Sequence, residues 1–291
     1  MISVFGSANM DLVAYTATAP RRGETVTGRA FGTVPGGKGA NQAVAAARAG
    51  AEVAFVGAVG DDAFGPVMRE TLESAGVDVS RLRVVPGSSG IAHIVVDDEG
   101  GNSIIVIPGA NGTVTGVSQD DLSVIARSDA LLLQLELPME AVVAAARQAE
   151  VPVILTPAPA RELPSELLGA VALIVPNEHE AEAITGLADP GEALEALLDL
   201  VPEAVITLGG RGALYGSRSG ERLRVPAVPV KAVDTTAAGD TFVGALAVAR
   251  AEGRPQAEAL RFAATAAALS VRREGASTSM PTRAEIDAAL R

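Results

Sequence analysis

Asp234-Thr235-Thr236-Ala237-Ala238-Gly239-Asp240-Thr241 sets a carboxylate at the start of a small-residue run, 242–251, that reads as a helix. The first N–H groups of a helix have no partner within it, and the dipole is positive there, so such a start attracts anions. Small residues at 237–239 let a ligand approach the backbone closely. A carboxylate among them would repel an anion unless it serves a different group. Asp240 has that use if it takes the proton of a hydroxyl attacking phosphorus. The N–H groups of Ala237, Ala238, Gly239 and Asp240 would meanwhile hold the phosphoryl charge. The plainer alternative is a capped helix start in which Asp240 stabilises the dipole.

A second segment, Gly36-Gly37-Lys38-Gly39-Ala40-Asn41-Gln42, precedes another small-residue helix, 43–49. Of 23 Lys and Arg residues only Lys38 and Lys231 are lysine, so a lysine inside a glycine cluster stands out. The pattern is not a Walker A loop: no Ser or Thr follows the Lys, and the glycine spacing differs. It reads either as a bare Gly-Gly turn or as backbone opened to a polyhydroxy ligand, with Asn41 donating and accepting beside it.

Together these segments resemble the PfkB carbohydrate kinases, the ribokinase-like sugar kinases. Gly6-Ser7-Ala8-Asn9-Met10-Asp11 is similar to the family's opening sugar-binding strand, residues 36–42 to its first signature and 233–241 to its second. Gln134-Leu135-Glu136, Pro157-Ala158-Pro159-Ala160, Pro176-Asn177-Glu178-His179-Glu180 and Thr207-Leu208-Gly209-Gly210-Arg211-Gly212 follow in family order. The second signature often carries Gly where this chain has Ala237.

The resemblance implies ATP-dependent phosphorylation of a sugar, with the terminal hydroxyl of D-ribose as the leading expectation. Deoxyribose, fructose or a nucleoside are rivals within the family. A non-catalytic sugar-binding protein is a rival outside it, and would have no need of a base at Asp240. Sugar contacts are implied for Asn9, Asp11, Gly37, Lys38, Asn41 and Glu136, because carboxylates and amides grip adjacent hydroxyls. Asn177 and Glu180 are implied to place Mg²⁺ and phosphate oxygens, which suits a hard ion that keeps water. The same two residues also read as a capping box. Thr207, Gly209, Gly212, Gly239, loop 224–230 and the helix around Ala264 are implied to hold the nucleotide. A K⁺ beside the anion hole is implied at Asp234, Thr236, Ser270, Arg273, Gly275 and Ser279, where carbonyl-rich loops suit a weakly charged ion.

A chain of 291 residues can bury a large core. No apolar run approaches 18 residues, no signal-peptide core is apparent and there is no Cys, so a cytoplasmic protein with no membrane partner is expected. The net charge of −12 argues against nucleic acid, and 3% aromatics argue against a base-stacking platform. His93 and His179 are too few for a zinc centre. Ala-rich helices carry little functional signal in so Ala-rich a chain.

Apolar runs at 53–59, 130–135, 153–156, 172–175 and 204–208 alternate with helical patterns at 63–75, 139–149, 178–185 and 191–200. Such alternation predicts one α/β domain, residues 1–291, with a doubly wound, mostly parallel sheet covered on both faces. Helices are predicted at 239–251, 256–271 and 283–290. Residues 12–34, β-rich from 24, and a hairpin at 91–96 and 102–107 turning at 97–101 lie outside the pattern. They predict a small β-sheet, which the resemblance implies is a lid. An apolar face supplied by Ile91, Val95, Ile105 and Ile107 would need covering, so a homodimer through the lid is expected.

Overall fold

Short aliphatic runs buried on both faces can only be strands of a sheet covered on both sides. The computed structural model, which describes residues 1–99 and 101–291, shows that sheet. Its strands are β1 (Ile2–Phe5), β4 (Val53–Gly60), β5 (Val77–Val85), β8 (Ala130–Leu133), β9 (Val153–Leu155), β10 (Leu173–Ile174), β11 (Glu203–Thr207), β12 (Ala213–Ser217) and β13 (Arg222–Val225). The remaining strands, β2 (Asn9–Tyr15), β3 (Ala30–Gly36), β6 (Gly90–Val96) and β7 (Asn102–Ile107), form a second sheet. The helices are α1 (Lys38–Arg48), α2 (Phe64–Ser74), α3 (Gln119–Ile125), α4 (Met139–Gln148), α5 (Ser165–Leu168), α6 (Glu178–Thr185), α7 (Pro190–Leu200), α8 (Ala238–Ala251), α9 (Gln256–Ser270) and α10 (Arg283–Ala289).

The large sheet runs β13-β12-β11-β10-β9-β8-β1-β4-β5. It is parallel from β11 to β5 and antiparallel at β11–β12–β13. Alternate strand residues feed two cores. Leu132 and Ile154 pack with α1, α2, α8 and α9, while Leu131, Leu133 and Leu155 pack with α4, α6 and α7. From β1 the chain goes to β4 on one side, and later to β8 on the other. The switch of direction opens a crevice at the carboxyl ends of β1 and β8, where ligands bind in such sheets. Among the described residues no helix is long and apolar enough to cross a membrane.

The small sheet runs β3-β2-β6-β7 and begins at Asn9 rather than at residue 12. The expected β-rich stretch from residue 24 is a strand only from Ala30, and 24–29 carry none. The hairpin strands fall where expected, but its turn includes Gly100, which lies outside the described residues. The four residues expected to supply an apolar face, Ile91, Val95, Ile105 and Ile107, do share one face, but the opposite face carries apolar residues as well. The register sets Asp11, Val13, Ile94 and Ile104 on one face, and Leu12, His93 and Ile105 on the other. Exposed apolar side chains occur on both, Ile104 and Val106 on the first, Phe31, Ile105 and Ile107 on the second. Strands β5, β12 and β13 and helices α3 and α5 were not expected from the sequence; charged residues such as Arg81, Arg83, Arg222 and Arg224 dilute the strand pattern at both sheet edges.

Candidate active site

Asp240 stands in the first turn of α8 and is 7% exposed. Asn41 Nδ2 donates to one carboxylate oxygen (3.3 Å) and Gln42 Nε2 to the other (3.1 Å). Both donors come from the first turns of α1, so α1 and α8 must pack closely. They do so through small residues: a Cβ at Gly244 would lie 2.7 Å from the Ala45 Cβ and 2.8 Å from the Gln42 carbonyl oxygen. Ala and Gly richness, uninformative in the sequence, is what lets the two helices bring these groups together.

The Gly36-Gly37 pair brings the small sheet to this helix. Gly37 has φ 91, and a Cβ there would meet the Asn9 nitrogen at 2.7 Å. A Cβ at Gly36 would stand 2.5 Å from the Asp11 carboxylate, so glycine leaves that carboxylate its place. Glu136, just past β8 at the crevice, accepts from Ser7 Oγ, from the Lys38 backbone N–H (2.9 Å) and from Asn9 Nδ2 (3.5 Å). Asn111 Nδ2 donates to Asn9 Oδ1 (2.7 Å) and fixes that amide. Asn41 Oδ1 is buried without a protein partner, an acceptor suited to a ligand hydroxyl. The expected sugar residues Asn9, Asp11, Gly37, Lys38, Asn41 and Glu136 thus gather around one crevice with Asp240. Ser7, Gln42 and Asn111 were missed as site residues; Gln42 stood inside the glycine motif, but only its neighbours were read.

The electrostatics follow from crowding four acids around one lysine. Burial raises Asp240 to about 6, against the opposing pull of Lys38 and the Gln42 hydrogen bond. Burial and the neighbouring Glu136 raise Asp11 to about 7, again opposed by Lys38. Burial disfavours the Lys38 charge, but Asp240, Glu136, Glu180 and Asp11 outweigh it and push its pKa up. Lys38 therefore keeps its proton while sensing carboxylates on the sugar side and on the α6 side.

Asn177 and Glu180 form the expected capping box at the start of α6. Asn177 Oδ1 accepts from the Glu180 N–H and Glu180 Oε2 from the Asn177 N–H, both at 2.8 Å. Burial raises the Glu180 pKa, with the Asn177 N–H and Lys38 opposing. Beyond them lies a cavity of about 330 Å³, lined by Thr207, Gly209, Gly212, Phe242, Ala264 and Val271 among others. Its wall from the 224–230 loop is residues 227–230; Arg224 instead belongs to edge strand β13. Gly239 and Ala238 close the cavity toward Asp240.

The expected anion hole is narrower than four N–H groups. Ala238 N–H donates to the Thr235 carbonyl (3.2 Å), because the turn before α8 tightens there. Gly239 and Asp240, in the first helical turn, have no carbonyl one turn earlier within α8 to receive their N–H groups. Ala237 has φ 57, left-handed backbone that glycine adopts freely and alanine only at a cost. The family's frequent Gly at this position answers to that geometry.

The expected cation residues are brought together only in part. Asp234 accepts from the Thr236 N–H (2.9 Å) and Oγ1 (2.6 Å) and from the Gly275 N–H (2.9 Å), tying the two loops. Burial opposes its charge, but these hydrogen bonds prevail and hold it below the usual range. Ser270 Oγ donates to the Ala267 carbonyl and Ser279 Oγ to the Ala276 carbonyl, each leaving oxygen lone pairs. Arg273 can meet a cation only through its backbone carbonyl, since a guanidinium has no lone pair to give; its side chain pairs with Glu285 at the start of α10.

The model of the pfkB family carbohydrate kinases matches residues 1–283. The chain belongs to the pfkB family of carbohydrate kinases. It is 46% identical to a ribokinase of Bacillus subtilis (strain 168), over 99% of each chain. To a ribokinase of Schizosaccharomyces pombe it is 42% identical, over 98% of this chain and 96% of the other. Arabidopsis thaliana ribokinase, solved with ribose and ATP, superposes with a TM-score of 0.94 at 35% identity, covering 100% of this chain and 98% of that one. The fold is that of the ribokinase-like members of the family.

Proposed function

We propose that this chain transfers the γ-phosphoryl group of ATP to the 5-hydroxyl of D-ribose. The observation that carries the reading is the position of Asp240. It faces a crevice of carboxylates and amides on one side, while Ala238 and Gly239 at the start of α8 line the nucleotide cavity on the other. Asn9, Asp11, Asn41 and Glu136 accept hydroxyl hydrogens of the ring and aim the primary alcohol at Asp240. Asp240 takes the hydroxyl proton as the sugar oxygen forms its bond to the γ-phosphorus and the bond to the bridging oxygen of ADP breaks. Gly239 and Asp240 N–H groups and Lys38 hold the equatorial charge. A coupled ATP-turnover assay with a sugar panel tests this: D-ribose gives the highest kcat/KM, and deoxyribose is poorer because a site acceptor is left unpaired. If fructose or a nucleoside outcompetes ribose, the ribose assignment fails and the kinase assignment stands.

Two ions fit the residues present. Glu180 Oε1 is not used by the capping box, and oxygen donors suit Mg²⁺. Bound Mg²⁺ would neutralise phosphate charge, with Asn177 and Glu180 holding its water shell. The loops joined by Asp234 and Gly275 offer neutral oxygens suited to K⁺, which would steady the turn that presents the Gly239 and Asp240 N–H groups. Turnover therefore depends on Mg²⁺ and rises several-fold with K⁺ over Na⁺ or Li⁺. Equal rates in all three monovalent salts would remove the cation site.

The small sheet acts as a lid over the sugar and as the contact between two copies. Strand β7 is an edge with Ile104 to Ile107 all exposed, and Ile105 is 68% and Phe31 66% exposed. Edges and apolar faces of this kind are covered by pairing. Light scattering at micromolar protein should give twice the chain mass of 29.3 kDa. A fully active monomer would contradict the dimer.

A further inference from the structure

We propose that Gln42, oriented by Gln134 and Thr156, is the positioning residue that holds the Asp240 carboxylate for proton transfer. The inference rests on the reading of the chain as a sugar kinase with Asp240 as base. Gln42 is 0% exposed, Gln134 1% and Thr156 8%. Gln134 Nε2 donates to Gln42 Oε1 (2.6 Å), and Gln42 Nε2 donates to Thr156 Oγ1 (3.0 Å) and to Asp240 Oδ1 (3.1 Å). An amide has one oxygen and one NH₂ group, so fixing the oxygen fixes where the donors point. Gln134 takes the oxygen, and the NH₂ group must then face Asp240. Turned over, the same amide would aim its oxygen at the carboxylate and repel it.

Asn41 and Gln42 hold the two oxygens of Asp240 from different sides. Asn41 keeps a free Oδ1, which suits a ligand hydroxyl. Every polar atom of Gln42 is spent inside the protein. It joins α1 to Gln134 after β8, to Thr156 after β9 and to α8, and so supports the base from behind. Stability does not account for this cluster, because buried amides gain little over apolar side chains of the same shape. It even leaves Gln134 Oε1 buried without a partner. A carboxylate that must stay ionised and aimed does account for it. The other charged groups acting on Asp240 are Lys38 of α1 and Glu136 after β8, with Asp11 of β2 sharing the same crevice. Gln42 is a neutral donor fixed among them.

The test uses Gln42→Met, which keeps volume without donor or acceptor, and Gln42→Glu, which still accepts from Gln134 but faces Asp240 with charge. Wild-type turnover on at least one sugar is the separate readout of the kinase reading; an inactive wild type overturns both. Gln42→Met should lower kcat about 10- to 100-fold, with KM for sugar and ATP within about threefold. The acid limb of kcat/KM should move to higher pH in Gln42→Met, since a bond favouring the ionised base is lost, and further in Gln42→Glu. In an Asp240→Asn background, Gln42→Met should cost less than about twofold, because the residue acts through the base. Additive losses in the double variant, or an acid limb unmoved in both single variants, overturn the proposal. If Gln42→Met fails to fold by circular dichroism, the acid limb of Gln42→Glu decides alone.

Discussion

Asp240→Asn lowers kcat by at least about two orders of magnitude, while sugar and ATP still bind. The two side chains have the same shape, so the crevice and the α8 start are kept. The amide cannot accept the hydroxyl proton. It also turns its NH₂ group toward Asn41 Nδ2 or Gln42 Nε2, both donors, which misaligns what remains. Single-turnover kinetics with titration calorimetry separates the two effects. Turnover within a few-fold of wild type would remove Asp240 from the role of base. The pH profile gives the same test in another form. Burial holds Asp240 at about 6, so its proton-accepting form is present above that pH and is lost as the pH falls through it. Wild-type kcat/KM should fall on that acid side, and the residual activity of Asp240→Asn should not follow the same limb.

Asp11→Ala lowers kcat/KM for ribose by about a hundredfold or more and leaves KM for ATP within about twofold. Two hydrogen bonds to a charged acceptor, each worth about 1.5–3 kcal/mol, set that scale. The contrast arises because Asp11 lies on β2 of the small sheet, away from the lining of the nucleotide cavity. Burial and Glu136 hold Asp11 at about 7, so near neutral pH the empty site carries it as a mixture of acid and carboxylate. Ring hydroxyls that donate to it favour the carboxylate. Ribose affinity should therefore rise as the pH rises through about 7, with proton release on binding, and Asp11→Ala should abolish that dependence. Calorimetry in buffers of different ionisation enthalpy measures it. Equal losses in ribose and ATP use would place Asp11 outside the sugar crevice.

The sequence by itself determined what local chemistry decides. Asn177 and Glu180 stand three residues apart and therefore cap α6 whatever else the fold does. Two β-rich runs flanking the polar turn at 97–101 gave β6 and β7, and apolar runs gave the buried strands β4, β8, β9 and β11. The glycine motif and the small-residue turn before α8 were legible because close backbone approach requires them, and their order along the chain carried the family.

Only the tertiary structure decided which distant groups meet. Gln42 and Asp240 are 198 residues apart, and Asn111 and Asn9 are 102 apart. Their pairing depends on the α1–α8 contact at Gly244 and on the crevice beside β1, neither of which leaves a pattern in a single stretch. Arg273 and Glu285, twelve residues apart, pair across the turn into α10. Ala238 matched an anion-hole position, yet a tightened turn engaged its N–H. Ile91, Val95, Ile105 and Ile107 share one face of the lid as expected, but the pairing of separate segments sets Ile94, Ile104 and Val106 on the other, so both faces are apolar. Local sequence fixes what a residue can do; packing between elements far apart in the chain fixes what it faces.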